Sequence, residues 1–463
     1  MKATATSTAG ADRSLGSDRS LGADRRRTEL GLLILGSLVV LSAYILASLG
    51  KSATIPTHIF PFLAAIFGLA GIAHIANRIL APRADPLILP VAALLNGLGY
   101  VMIARLDYHL AALQALWSAV GIAAYVVTLV VVRFSRDLAR YRYLLGFGGV
   151  FLLLLPLVPH IGENINGARL WLRLGPITFQ PVELAKIALV IFFASYFVEK
   201  RELLSVATMR VGNRLVPDPR TFGPIVAAWG MSIVIMVAEH DIGFSLLVFV
   251  IFITMLWMAT GRVAYLVIGA VLFVLAAFVA AHLFAQVHVR INSWFDPFAH
   301  AQGTGYQMVQ AQYAMGTGGL AGTGLGLGHP GLIPVVVSDF IFAAFGEELG
   351  LLGTTSLVIA YVLMVTAGLR IALRARTDFA KLLTAGLVGI FGFQAFFIMA
   401  GVVRLLPLTG ITLPFVAYGG SSLLANYILI ALVVRVSSEE DGSGTIRRPG
   451  RRLGRRTPSS AGI

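Results

Sequence analysis

Twelve long apolar stretches divide the chain and leave few folds open to it. They run at about 29–50, 57–81, 86–104, 109–132, 141–160, 181–199, 222–239, 242–260, 264–286, 339–373, 380–402 and 413–436. A helix needs roughly 20 residues to cross the ~30 Å hydrocarbon layer, and in that layer backbone polar groups must be satisfied internally. The stretches therefore read as helices of an all-α polytopic membrane protein with about twelve spans. The stretch 339–373 is overlong, which predicts a helix that tilts or extends past the bilayer into the cytoplasm. Composition agrees: 57% of residues are hydrophobic and 13% charged, against about a quarter charged in soluble domains.

The formal charge of +14 sits in tails and short loops between apolar spans, the pattern of a positive-inside topology with attraction to anionic lipid, so no nucleic-acid partner is expected. One set of loops holds Arg25–Arg27, Arg83, Arg133–Arg142, Lys200–Arg220, Arg262, Arg374–Lys381 and Arg447–Arg456. The alternate set holds only Lys51, Arg105, Arg169, Arg173, Arg290 and Arg404. This asymmetry puts the first set in the cytoplasm, and twelve spans return the carboxyl terminus to the side of the amino terminus. Both termini are thus expected in the cytoplasm. Residues 1–28, with DRSLG at 12–16 and 18–22, and the basic segment 437–463 cannot bury a core and read as disordered tails. The chain has no cysteine, which excludes disulfides, thiolate catalysis and cysteine-ligated metals.

Two connections on the outer side, 161–180 and 287–338, are too long to be turns. The second lies between the ninth and tenth helices. Its aromatic residues, Trp294, Phe295, Phe298, Tyr306 and Tyr313, suit a headgroup layer and predict a loop lying across the outer mouth. Ionisable groups gather on the same side. Glu183 and Lys186 share a face at the start of the sixth helix; Asp241 opens the eighth and Asp339 the tenth. Glu347 and Glu348 follow two to three turns on, and Arg404 closes the eleventh. Charges in spans are costly and face partners or cavities. For Glu183, Lys186 and Asp241 two readings stand open, an internal ion-pair network or contact with substrate. Asp339 can be a chemical group or a helix cap. The glycine run 316–328 lacks the Lys-Ser/Thr pair of nucleotide loops and follows no strand. The histidines show no metal-ligand spacing. Tyr418-Gly419-Gly420-Ser421-Ser422 reads as a kinked, hydroxyl-bearing opening to the last helix.

In order along the chain stand Gly167-Ala168-Arg169-Leu170-Trp171, Phe179-Gln180-Pro181-Val182-Glu183 with Lys186, and His240-Asp241-Ile242-Gly243. Asp296-Pro297, Gly303 to Tyr306, Ser338-Asp339-Phe340-Ile341-Phe342 and Gly346 to Gly350 follow, then Pro407 to Pro414 and Tyr418 to Ser422. In these blocks the sequence resembles the SEDS family (shape, elongation, division and sporulation), over residues 86–436. The resemblance implies a ten-helix core, with 29–85 as two additional amino-terminal helices of unassigned role. It implies a peptidoglycan glycosyltransferase of the bacterial plasma membrane, inverting lipid II to a β-1,4 strand and releasing undecaprenyl diphosphate. The RodA-like elongation branch is favoured over the FtsW-like division branch. By family match Asp339 is the catalytic base. Arg169, Lys186, Arg404, Ser421 and Ser422 are candidates for the diphosphate, and Glu183, Asp241, Glu347 and Glu348 for coupling or tuning. A divalent cation (Mg or Mn) could assist, and a class B penicillin-binding protein is the expected partner. The competing classes are a lipid II flippase or other polytopic carrier, and a scaffold for a cell-wall machine. Charges in the outer third, a one-sided loop and no half-to-half repeat favour the polymerase.

Overall fold

The computed structural model describes residues 5–53, 59–158, 161–165, 168–174, 177–205, 209–211, 214–216, 230–231, 242–283 and 285–440. Among them, helices occupy eleven of the twelve apolar stretches; all of 222–239 except residues 230–231 lies outside the described residues. The long helices are α1 (Ala5–Ser52), α2 (Ile59–Leu80), α3 (Ile88–Leu106), α4 (Tyr108–Val131), α5 (Arg142–Leu154), α6 (Val182–Glu199), α7 (Ile242–Thr260) and α8 (Ala264–Leu283). Then come α9 (Ala285–Phe295), α10 (Tyr306–Gly318), α11 (Ile341–Arg374), α12 (Asp378–Val402) and α13 (Gly420–Glu440). Seven helices among the described residues are long and apolar enough to cross a membrane. This is a multi-pass membrane protein.

Local signals set several boundaries. Asp107 ends α3 and caps α4, its carboxylate accepting from the amides of His109 and Leu110. Thr377 caps α12 through the amide of Ala380 at 3.1 Å. The last helix begins at Gly420 rather than near 413, because Pro414 and the left-handed backbone of Phe415 (φ 64°) keep the preceding segment out of a helix. At the other extreme α1 begins at Ala5, inside the segment that composition reads as a disordered tail. Arg26, within that segment, is buried because it bonds Glu29 and the carbonyl of Ala84.

Both long connections contain regular elements. Residues of 161–180 form an antiparallel sheet ordered β1 (Gly162–Ile165), β2 (Ala168–Leu174), β3 (Ile177–Phe179). In β2 Leu170 and Leu172 are buried and Arg173 is exposed, the two-residue period of a half-buried strand. A second pair, β4 (Met209–Val211) and β5 (Arg214–Val216), is also antiparallel. These sheets are small additions to a helical fold. The connection 287–338 holds most of α9 and all of α10, and α10 packs on α11.

The stretch 339–373 departs from expectation in an instructive way. Instead of one tilted helix, the chain breaks at Gly350 (φ 64°, ψ −161°), leaving a short half-helix, 341–349, ahead of the span 351–374. A break leaves carbonyls and amides without partners, and lipid offers none. Here the glycine run supplies them. Thr323 and Gly324 donate their amides to the carbonyls of Glu347 and Glu348 at 2.9 and 3.0 Å, and Leu351 and Leu352 donate to the carbonyls of Gly319 and Leu320 at 2.9 and 3.1 Å. Only glycine fits at Gly350, where a Cβ would lie 2.4 Å from the amide nitrogen of Gly322.

The core is one large apolar cluster through α3–α7 and α11–α13, with a smaller one formed by Val40, Ala47, Phe62 and Val101 between α1, α2 and α3. The amino-terminal pair is therefore packed onto the bundle, not appended to it. Phe62 stacks on Tyr44 with ring centroids 3.9 Å apart. Asp85 bonds Ser437, and Ser135 bonds Glu439, so the start of the described bundle and its last helix finish at the same, arginine-rich end.

Candidate active site

At the opposite end, Asp339 sits one residue before the cap of the half-helix. Its residue keeps a partial opening to the surface, while the surroundings of the carboxyl are enclosed enough that burial pushes its pKa above the usual carboxylate range. A hydrogen bond from Ser338 and the charge of Arg290 pull the other way. Arg290, on α9, also donates to the carbonyl of Thr409 at 3.1 Å. The Thr409 hydroxyl is buried and has no partner among the described residues. Asp339 thus stands beside the Ser338 hydroxyl and within the field of one cation on a neighbouring element. No three His, Asp or Glu side chains gather into a metal-binding group among the described residues. A lone carboxylate facing an arginine is a poor donor set for Mg or Mn.

The segment 405–419 ties this corner to the rest of the bundle. Gln394 on α12 donates to the carbonyl of Thr412 at 2.9 Å, Tyr361 on α11 donates to that of Pro414 at 2.7 Å, and Tyr418 donates its amide to Val337 at 2.8 Å. Glycine is required where α7 begins, since a Cβ on Gly243 would lie 2.4 Å from the carbonyl oxygen of Thr409. Val335 and Arg404, like Phe415, hold positive φ (57° and 61°). Such backbone costs roughly 1–3 kcal/mol per residue, so these turns persist only where their surroundings fix them.

The other residues singled out in the sequence fall into distinct places. Lys186 is fully buried and donates to Glu183 and to Gln394, the latter at 2.7 Å. Ser422 accepts from Thr412 at 2.9 Å and from Asn426, and Ser421 accepts the amide of Gln180 at 2.9 Å. Glu183, Lys186, Gln394, Thr412, Ser422 and Asn426 therefore form one continuous buried network through α6, α12 and α13. The Arg404 guanidinium is engaged by the carbonyls of Trp294 and Phe295, and Trp294 returns a bond to the carbonyl of Arg404 at 3.0 Å. Glu347 accepts the amide of His329 at 2.7 Å. Glu348 accepts that of Gly326 at 3.0 Å and pairs with Arg105 at 2.7 Å. Arg169 lies in β2 with its side chain outside the described residues, as is Asp241.

Three participants were missed by reading the sequence. Arg290 had been counted only as a topological charge, although it is the sole Lys or Arg in 287–338. Gln394 is an amide inside an apolar helix, a placement costly enough in lipid to signal a partner. Arg105 gave no such signal, since its partner Glu348 is 243 residues away.

Comparison with known proteins decides what this geometry belongs to. The model of the FtsW/RodA/SpoVE family of cell cycle proteins matches residues 87–442. The chain belongs to this family. It is 43% identical over 423 residues to the peptidoglycan glycosyltransferase RodA of Mycobacterium tuberculosis, covering 89% of this chain and 90% of the relative. The RodA of Mycobacterium leprae is 42% identical over 422 residues, with the same coverage. A probable peptidoglycan glycosyltransferase FtsW of Geobacter sp. is 36% identical over 300 residues, covering 64% of this chain and 78% of the relative. Among solved structures, a chain of a peptidoglycan synthase complex that coordinates polymerization and crosslinking has TM-score 0.62 at 26% identity, covering 77% of this chain and 98% of that one. An Asp-to-Ala mutant of the Thermus thermophilus rod shape determining protein RodA shares the fold, with TM-score 0.56 at 24% identity, covering 77% of this chain and 98% of that one. The mycobacterial matches exceed the family model in length and reach into the amino-terminal helices even if all of 443–463 is included in them. Within this family the RodA branch is the nearer one.

Proposed function

We propose that the chain is a peptidoglycan glycosyltransferase that polymerises lipid II at the outer leaflet of the bacterial plasma membrane, in the RodA-like role of elongation and shape. The observation that carries the reading is Asp339, a lone enclosed carboxylate facing Arg290 on a strained corner, in a family whose RodA members are named for this activity. The charge asymmetry of the loops supports an outward-facing Asp339 end and cytoplasmic termini.

In this mechanism the acceptor sugar hydroxyl attacks the anomeric carbon of the donor. The new carbon–oxygen bond forms as the bond to the diphosphate breaks, which inverts the centre. Asp339 takes the hydroxyl proton, and undecaprenyl diphosphate leaves with the electron pair. One displacement needs one base, and a diphosphate needs cations rather than a second acid. Arg290 is placed to supply such charge beside Asp339. Lys186 and Arg404 act a step further back in this scheme, because Glu183 with Gln394 and the carbonyls of Trp294 and Phe295 already engage them. Ser421 and Ser422 hold the opening of α13. A class B penicillin-binding protein is the partner, in keeping with the solved complex that coordinates polymerization and crosslinking.

The test is glycan polymerisation in liposomes from lipid II, with the candidate transpeptidase present, comparing the wild-type chain with Asp339→Asn. Polymer from the first alone supports the reading. Equal polymer from both removes Asp339 from the chemistry. Transbilayer movement of lipid II without any polymer points to a carrier instead.

A further inference from the structure

Helix α1 lies outside the family model, yet its last turn touches the structure that carries Asp339. A Cβ on Gly50 would sit 2.2 Å from the carbonyl oxygen of Leu325, and one on Gly326 would sit 2.3 Å from the carbonyl oxygen of Ala47. The two backbones are therefore in direct contact, and Leu325 packs into the small apolar cluster that α1 and α2 form with α3. Beside this contact Lys51 donates to the carbonyl of Arg105 at 2.9 Å. Arg105 in turn holds Glu348 at 2.7 Å and the carbonyl of Gly328 at 2.6 Å.

From there the connection to Asp339 is short. The run 319–329 bonds both sides of the break at Gly350 through Thr323, Gly324, Gly326, His329, Leu351 and Leu352. The half-helix it holds begins two residues after Asp339. A half-helix of nine residues cannot hold its own position. Its orientation comes from its burial in the core and from the run, and the run is pressed from outside by α1.

We infer that α1 is a brace for the active site: the contact of Gly50 with Leu325 and Gly326 makes these positioning residues that set where the Asp339 carboxylate stands. This rests on the polymerase reading. It assigns a task to the amino-terminal helices, which lie outside the family model.

The test uses the full chain with its transpeptidase partner and lipid II as substrate. Gly50→Leu drives a side chain into Leu325, and Gly31→Leu, on an exposed part of the same helix with nothing within 4 Å, is the control. Because the chain has no cysteine, a nitroxide on Leu327→Cys, an exposed position in the run, reports the run's mobility directly. Gly50→Leu should lower kcat by about 10–100-fold, as expected of a base displaced by roughly an ångström, with KM for lipid II within about two-fold and a freer nitroxide. Gly31→Leu should change neither. Gly326→Ala opposes the same contact from the other side and replaces Gly50→Leu if that variant does not fold. Unchanged kcat in Gly50→Leu, or a fall in kcat with an unmoved nitroxide, overturns the brace. If the parent chain itself makes no polymer, the polymerase reading is what fails, while the nitroxide still tells whether Gly50 restrains the run.

Discussion

The two ends of the bundle hold their polar groups by opposite means. At the arginine-rich end, side chains bond side chains between regular helices: Glu29 takes Arg26, His74 at 2.7 Å and Asn77 at 3.2 Å, and Asn77 takes Tyr125. Nearby, Arg435 reaches the carbonyls of Leu80 and Leu129. At the Asp339 end, charged groups bond the backbone of loops, helices are broken, and four non-glycine residues among those described (Ala53, Val335, Arg404 and Phe415) have positive φ. The first arrangement fastens helices whose shape is already set. The second maintains a shape that the local sequence would not choose, which is the expense typical of a working site.

The contrast can be broken most sharply at its two carboxylates. Asp339→Asn should lower polymerisation about 10²–10⁴-fold while leaving the fold intact, as read by monodispersity and partner binding. Its thermal stability at neutral pH should rise slightly. A carboxyl whose folded-state pKa is raised opposes folding when it ionises, above its unfolded value, and the amide cannot ionise. Glu29→Ala should do the reverse, costing about 3–5 kcal/mol of stability by stranding Arg26, with turnover per folded molecule unchanged. Glu29→Ala that stays stable but loses turnover would sink the division between the two ends.

Arg290→Gln should reduce kcat by about 10²-fold and carry a second signature. Removing its charge lets burial push the Asp339 pKa higher, so the acid limb of the rate profile should move up. In the wild-type chain that limb should lie above the ordinary carboxylate range, with activity falling as pH drops through it. The smallest effect belongs to Arg201 and Asp378, exposed and 3.4 Å apart at the arginine-rich end. Breaking that pair should alter melting by at most about 1 kcal/mol and leave the rate alone.

How much of this the sequence disclosed depends on the kind of constraint. The ladder of spans was legible because lipid demands helices and permits little else. Asp339 stood out as an ionisable group at a helix start, and its role as base came only from the resemblance in the block Ser338 to Phe342; that role is a proposal. The break at Gly350 was hidden, since glycine is common in membrane helices and only the partner run, some thirty residues earlier, reveals its purpose. That run, with its glycines, had been considered and set aside as a nucleotide loop, when its amides serve Glu347 and Glu348. The strands of 161–180 were present in the alternation of Ala168 to Leu174, but were read as loop because the hydropathy of a short sheet at a bilayer surface is weak.

The contact between the glycine run and the broken helix has one more consequence, for inheritance. Its backbone bonds and the Glu347 and Glu348 carboxylates together hold it, so many of its demands fall on residues that lack a side chain. A saturating mutational scan should find Gly318, Gly322, Gly326 and Gly350 nearly immutable, with exposed Leu320 and Leu327 beside them open to most replacements. Drift across this tract would then be confined to the positions between these glycines, and a lineage could alter its exposed side chains freely while the scaffold beneath them stayed still.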